Sequence, residues 1–126
     1  AVARGMMKRR SGSIVNLTSV VGIHGNAGQT NYAASKAGLN SLVCVAALEY
    51  GPSGVLVNAI CPGFVMTDLT RQNNDDEAIA RLADVTALGR LGKPEEVAEL
   101  VAFPVGSGNT YITGQTLTID GGYSCQ

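Results

Sequence analysis

Two rhythms of apolar and polar positions divide this chain. Short runs of branched apolar residues occur at residues 13–18, 55–60 and 116–119, each bounded by glycine, proline or Asp-Gly. Runs of that length between turn residues predict buried strands. The segment from Thr30 to about Tyr50 has a different rhythm. Leu39, Leu42, Val43 and Ala46 recur at i, i+3, i+4 and i+7, which predicts a long helix with one apolar stripe. Thr30 is its expected N-cap, and Gly51-Pro52-Ser53-Gly54 ends it. Its small residues Ala33, Ala34, Ala37 and Gly38 leave room for another backbone or helix to approach closely.

The remaining elements follow from punctuation. Residues 1–10 read as the end of a helix stopped by Ser11-Gly12, with Lys8, Arg9 and Arg10 solvated at its last turn. Residues 20–29 read as a glycine-rich loop, with His24 exposed within it. Residues 64–90 are a polar excursion with one helix near residues 75–85, and Asp75, Asp76 and Glu77 cap or solvate its start. Pro94 followed by Glu95 and Glu96 opens another helix, as expected for the positive end of a helix dipole. Pro104 has no N–H and clashes inside a helix, so it is expected to end that helix early and fray it.

Strand, helix, strand, helix, strand predicts an α/β fold with right-handed crossovers and a parallel sheet. Three strands with flanking helices amount to the C-terminal half of a Rossmann-like, doubly wound sheet. The strand at 13–18 has no upstream partner in the sequence, so more sheet is expected to precede residue 1. Residues 1–126 are then one part of a single domain.

Composition narrows the functional classes. The chain has 126 residues, 45% hydrophobic and 15% charged, with a net charge of −1. That balance suits a packed domain and gives no basis for binding nucleic acid or an anionic membrane. No apolar run reaches the roughly 18 residues of a membrane span. Cys44, Cys61 and Cys125 form no C-x-x-C pair, so neither a zinc site nor a redox pair is expected, and reduced thiols fit a cytoplasmic setting. Gly22, Gly25 and Gly28 are spaced G-x-x-G-x-x-G, which is not the G-x-G-x-x-G of a dinucleotide loop.

The chemistry gathers around the long helix. Tyr32 and Lys36 lie one turn apart on one face. Ser19 follows the first strand and Pro62-Gly63 ends the second, so both fall at the carboxyl edge, where open α/β sheets bind ligands. Val65 and Thr67 follow closely.

Val15-Asn16-Leu17-Thr18-Ser19, Asn31-Tyr32-Ala33-Ala34-Ser35-Lys36-Ala37-Gly38 and Val57-Asn58-Ala59-Ile60-Cys61-Pro62-Gly63 resemble the short-chain dehydrogenase/reductase family. So do Gly89-Arg90-Leu91-Gly92-Lys93-Pro94-Glu95-Glu96-Val97, Tyr111-Ile112-Thr113-Gly114-Gln115 and Asp120-Gly121-Gly122. The likeness covers nearly the whole chain and runs nearest to the 3-oxoacyl-[acyl-carrier-protein] reductases. The resemblance implies an NAD(P)-dependent oxidoreductase that reduces a carbonyl to a hydroxyl in fatty acid biosynthesis, with NADPH slightly favoured over NADH. Ser19, Tyr32 and Lys36 are then catalytic. Tyr32, Lys36, Pro62, Gly63, Val65 and Thr67 bind cofactor, and no residue binds a metal. It also implies a homotetramer that packs through the Tyr32 helix.

The family's glycine-rich pyrophosphate loop, its Asn-Ala-Gly strand and the asparagine of its catalytic tetrad are not in this sequence. Alone, the chain is expected to be inactive and to bind no dinucleotide tightly. Of the two basic positions that the family uses for an acyl carrier, Arg10 fits one and Ser53 stands at the other. Two other readings remain: a dehydrogenase of another alcohol, such as a sugar or steroid, and a non-catalytic fragment that keeps only the oligomer surface.

Overall fold

A computed structural model describes residues 2–125. In chain order the elements are α1 (Val2–Arg9), β1 (Gly12–Leu17), α2 (Val21–His24), α3 (Thr30–Tyr50), β2 (Val55–Pro62), α4 (Asp68–Asn73), α5 (Asp76–Asp84), α6 (Pro94–Val105) and β3 (Thr116–Ile119). The three strands form one parallel sheet in the order β1-β2-β3. Gly12 pairs with Val55 and Leu17 with Ile60, while Ala59 pairs with Thr116 and Pro62 with Ile119. The central strand β2 is almost wholly buried, as its continuous apolar run requires. Among the described residues β1 is paired along one edge only.

The core lies between α3 and the sheet. Val43, Ala46 and Ala47 of the helix meet Val55, Val57 and Ala59 of β2, with Met6, Met7, Ile14 and Tyr50 around them. Of the apolar stripe expected on α3, Val43 and Ala46 are buried in this core, whereas Leu42 is 52% exposed and Ala47 packs beside them. Small side chains let the helix axis come close to the sheet, which leaves the bulky neighbours outside.

Four further expectations need correction. Residues 20–29 are not all loop, because Val21–His24 form the short helix α2 and His24 is exposed on it. Thr30 is the first residue of α3 and not its cap; Gln29 holds the cap position and makes no side-chain cap bond. The polar excursion holds two helices, with α4 ahead of the expected α5. Finally, Pro104 does not end α6 early. The helix runs on to Val105 with Pro104 buried inside it. Two hydrogen bonds hold its carbonyl: the Ser13 hydroxyl donates at 2.6 Å and Asn109 Nδ2 at 3.3 Å. Since Pro104 is the penultimate residue, few helical bonds remain beyond it to be lost.

Other expectations match. Asp75 caps α5 by accepting from the Ala78 N–H at 2.7 Å. At the start of α6 the Lys93 N–H donates to Glu96 Oε2 at 2.7 Å, and Glu96 also accepts two bonds from Arg90 at 2.9 and 2.7 Å. These bonds hold the Glu96 carboxyl far below its usual range, at about 2, with the Arg90 side chain the largest cause.

Candidate active site

The carboxyl ends of β1 and β2 are tied together before either chain turns away. The Thr18 N–H donates to the Ile60 carbonyl at 2.8 Å and the Val20 N–H to the Pro62 carbonyl at 3.1 Å. Ser19 lies between these ties, is buried, and accepts from the Val21 N–H at 3.3 Å. Its own hydrogen is donated to no described residue. The turn into α2 is closed by Gly22 N–H donating to the Ser19 carbonyl at 2.9 Å.

Helix α3 brings Tyr32 and Lys36 to the same place. Lys36 Nζ donates to the Leu17 carbonyl at 2.9 Å, two residues before Ser19. It also lies 5.6 Å from the centre of the Tyr32 ring, within reach of a cation–π attraction. Tyr32 is 43% exposed at the amino end of the helix. Gly22 makes the close approach possible: a Cβ there would lie 2.7 Å from Lys36 Cβ and 2.8 Å from the Ala37 nitrogen. The packing role of Gly22 has no signal in sequence spacing.

A second arm leaves β2. The Gly63 N–H donates to the Ile119 carbonyl at 3.0 Å, and a Cβ on Gly63 would lie 2.6 Å from Asp120 Cβ. Beyond it, Val65 forms a parallel bridge with Gly92. Gly92 N–H donates to the Phe64 carbonyl at 2.9 Å, and Met66 N–H to the Gly92 carbonyl at 2.8 Å. A trans peptide sets its C=O and N–H on opposite sides. The Val65 N–H therefore points away from Gly92, and no described residue accepts from it. Thr67 caps α4, its hydroxyl accepting from the Thr70 N–H at 3.1 Å. A broad groove between α4, α5 and the start of α6 is lined by Met66, Thr67, Ile79, Leu91 and Pro94. Of the candidate residues only Thr67 reaches it.

The turn after β3 braces both arms. Burial pushes the Asp120 carboxyl upward. Hydrogen bonds from the Ser124 side chain and backbone and from the Gly122 N–H outweigh this and hold it below 3.8. The folded turn presents Tyr123 edge-on to Phe64 at 5.1 Å and to His24 at 6.2 Å, both ring-centre distances. Cys61, on β2, is buried, and desolvation raises its thiol. Cys44, Cys61 and Cys125 are free thiols. Among the described residues no group of acidic, histidine or cysteine side chains could hold a metal, and no helix is long and apolar enough to cross a membrane.

A parallel sheet with a serine, tyrosine and lysine at its carboxyl edge defines a class, and the chain belongs to it: the short-chain dehydrogenase/reductase family. The family model described as Enoyl-(Acyl carrier protein) reductase matches residues 1–124. The chain is 52% identical to the 3-oxoacyl-[acyl-carrier-protein] reductase FabG of Vibrio harveyi over 122 residues, covering 97% of this chain and 50% of that protein. The FabG of Escherichia coli K12 is 49% identical over the same coverage. Among solved structures, ElxO with NADP bound superposes with a TM-score of 0.93 at 30% identity, covering 99% of this chain and 51% of that one. A second ElxO structure, a tyrosine-to-phenylalanine variant with NADPH bound, gives 0.93 at 29% identity. The chain thus spans about half the length of the curated relatives it matches.

Proposed function

We propose that this chain is the C-terminal catalytic portion of an NAD(P)-dependent carbonyl reductase acting on 3-oxoacyl thioesters of acyl carrier protein, in cytoplasmic fatty acid synthesis. The carrying observation is the Lys36 amine, held on the Leu17 carbonyl beside both the Tyr32 ring and the strand exit with Ser19. The rest of the sheet and the pyrophosphate loop would lie along the free edge of β1.

When bound, the reduced nicotinamide supplies a hydride to the carbonyl carbon. The chain's own residues manage the oxygen. Ser19 has a hydrogen to donate and holds the oxygen where negative charge grows. Tyr32 gives its phenolic proton to that oxygen, completing the alcohol. The Lys36 ammonium stands beside the phenol ring from which that proton leaves. Lys36 would also hold the nicotinamide ribose, and Pro62 and Gly63 would bring the second arm against the ring. The Val65 N–H and the Thr67 hydroxyl fit the carboxamide, since the first is unengaged and the second lies two residues on. NADPH is slightly favoured, in line with the ElxO structures that bind NADP and NADPH.

The family description names an enoyl reductase, which reduces a C=C bond, whereas the FabG relatives are named for 3-oxoacyl groups. A buried serine hydroxyl whose hydrogen no described residue accepts supports the carbonyl, whose oxygen would take that bond. The experiment offers the full-length protein NADPH with acetoacetyl thioester, crotonyl thioester and a panel of sugar alcohols with the oxidised cofactor. Turnover is expected with acetoacetyl thioester alone. Activity confined to a sugar alcohol would replace this reading with that of another alcohol dehydrogenase.

An oligomer reading has its own support. Leu42, Val45 and Leu48 stand exposed along α3, Leu48 at 79%. A tetramer packed through this helix would cover them. A chain retaining only that surface would self-associate without binding cofactor.

A further inference from the structure

We propose that Tyr123 is a positioning residue: its ring clasps the turn that carries Ser19 to the arm after β2, and so holds the serine hydroxyl in place for the substrate oxygen. The inference rests on the reading above that Ser19 meets that oxygen.

Three rings leave the carboxyl edge, each after a different strand. His24 ends α2, the single helical turn that follows Ser19. Phe64 follows Gly63 at the exit of β2, and Tyr123 lies in the turn after β3. The Tyr123 ring meets Phe64 at 5.1 Å with 73° between planes, and His24 at 6.2 Å with 85°. Both are edge-to-face pairs at attractive spacing. Among the described residues no ring contact joins His24 to Phe64 directly, so Tyr123 is the link.

The two arms are already tied at their base by the Val20 N–H on the Pro62 carbonyl. One tie leaves the α2 turn free to pivot, and a second at its far end fixes it. His24 transmits that restraint to Ser19 through one turn of backbone bonds. The His24 N–H donates to the Val20 carbonyl and the Gly22 N–H to the Ser19 carbonyl, both at 2.9 Å. The other end of the clasp is anchored too. The Leu88 N–H donates to the Gly121 carbonyl at 3.1 Å. The Asp120 carboxylate accepts from the Gly122 and Ser124 N–H groups at 2.9 and 2.8 Å. The Tyr123 ring, whose phenol bonds no described residue, therefore acts through Ser19 and need not touch substrate.

The test is a double-mutant cycle on hydride transfer in the full-length protein, at saturating NADPH and acetoacetyl thioester. Tyr123→Ala is expected to slow transfer about tenfold, as a displaced catalytic group would, and Tyr123→Phe to stay within about twofold of the parent. On a Ser19→Ala background the Tyr123→Ala loss should shrink to within about twofold, because no serine hydroxyl is left to displace. His24→Ala removes one ring contact at an exposed position and leaves the turn after β3 intact. It should repeat the same pattern, and it carries the test if Tyr123→Ala fails to fold. Amide hydrogen exchange at residues 23–25 should also quicken at least about tenfold in His24→Ala, a readout that needs no turnover. Equal losses with and without the Ser19 hydroxyl, as from general loosening, would overturn the proposal, and so would unchanged exchange in His24→Ala. A parent inactive on acetoacetyl thioester, with quickened exchange in His24→Ala, would count against the substrate proposed above and leave the clasp standing.

Discussion

Lys36 and the backbone beside it occupy the space that a side chain on Gly22 would need, and this contact packs α2 against α3. A methyl group at position 22 would meet Lys36 Cβ at 2.7 Å, so α2 or α3 would have to move. Overpacking of this kind costs on the order of 1–3 kcal/mol. Gly22→Ala in the full-length protein is expected to lower the unfolding midpoint and to reduce kcat, because Ser19 and Lys36 flank the contact. An unchanged midpoint in denaturant titration would contradict the packing. Glu96 supports a second prediction at this scale. Its carboxyl falls from 4.5 to about 2 on folding, through Arg90 first and the Lys93 N–H second. A carboxyl depressed in the folded state adds stability above its unfolded value, and that stability disappears as pH falls from about 4.5 to about 2. Acid titration of Glu96→Gln should show a shallower loss across that window than the parent chain, and equal slopes would count against the Arg90 pairing. Ser19, Tyr32 and Lys36 were proposed from residue types and family spacing, and the structure sets Lys36 beside the Tyr32 ring and on the Leu17 carbonyl. Gly22 was not legible, because its role depends on a contact across elements that a linear sequence does not show.

The elements divide in the same way between legible and hidden. All three strands and α3 could be read because apolar runs and helical spacing persist over many residues. Helices α2 and α4, of four and six residues, are too short to show a period. Local bonds mark their starts: Val21 N–H donates to the Ser19 hydroxyl before α2, and Thr70 N–H to the Thr67 hydroxyl at the start of α4. Pro104 misled because its cost depends on position along the helix, and its carbonyl has partners in Ser13 and Asn109 that are 91 and 5 residues away. The turn after β3 gives a prediction of its own. Tyr123 makes edge contacts with both Phe64 and His24, each worth about 0.5–1.5 kcal/mol beyond burial. Tyr123→Ala should therefore lower stability by roughly 1–3 kcal/mol, and Tyr123→Phe should retain it, since no described residue bonds the phenol. Equal losses in the two variants would show that the ring contacts are not what holds the turn.

At the scale of the molecule, the carboxyl edge of the sheet carries Ser19, Pro62 and Gly63, and α3 brings Lys36 to that edge on the Leu17 carbonyl. β1 delivers Ser19 and β2 delivers Pro62, Gly63 and the Val65 arm, while β3 supplies the Asp120 turn that braces them. The parallel order was readable from alternating strands and helices. The position of the cofactor's pyrophosphate was not, because these residues contain no G-x-G-x-x-G loop to mark it. Titrating NADPH into the isolated chain and following nicotinamide fluorescence should give no saturable signal, and micromolar binding would contradict the division of labour proposed here. The most direct test of the site is to replace the Tyr32 phenol in the full-length protein and measure hydride transfer in a single turnover at saturating NADPH and acetoacetyl thioester. Loss of a positioned general acid predicts that Tyr32→Phe slows transfer by at least about 100-fold with both ligands saturating. A variant that transfers hydride at the parent rate would contradict the account.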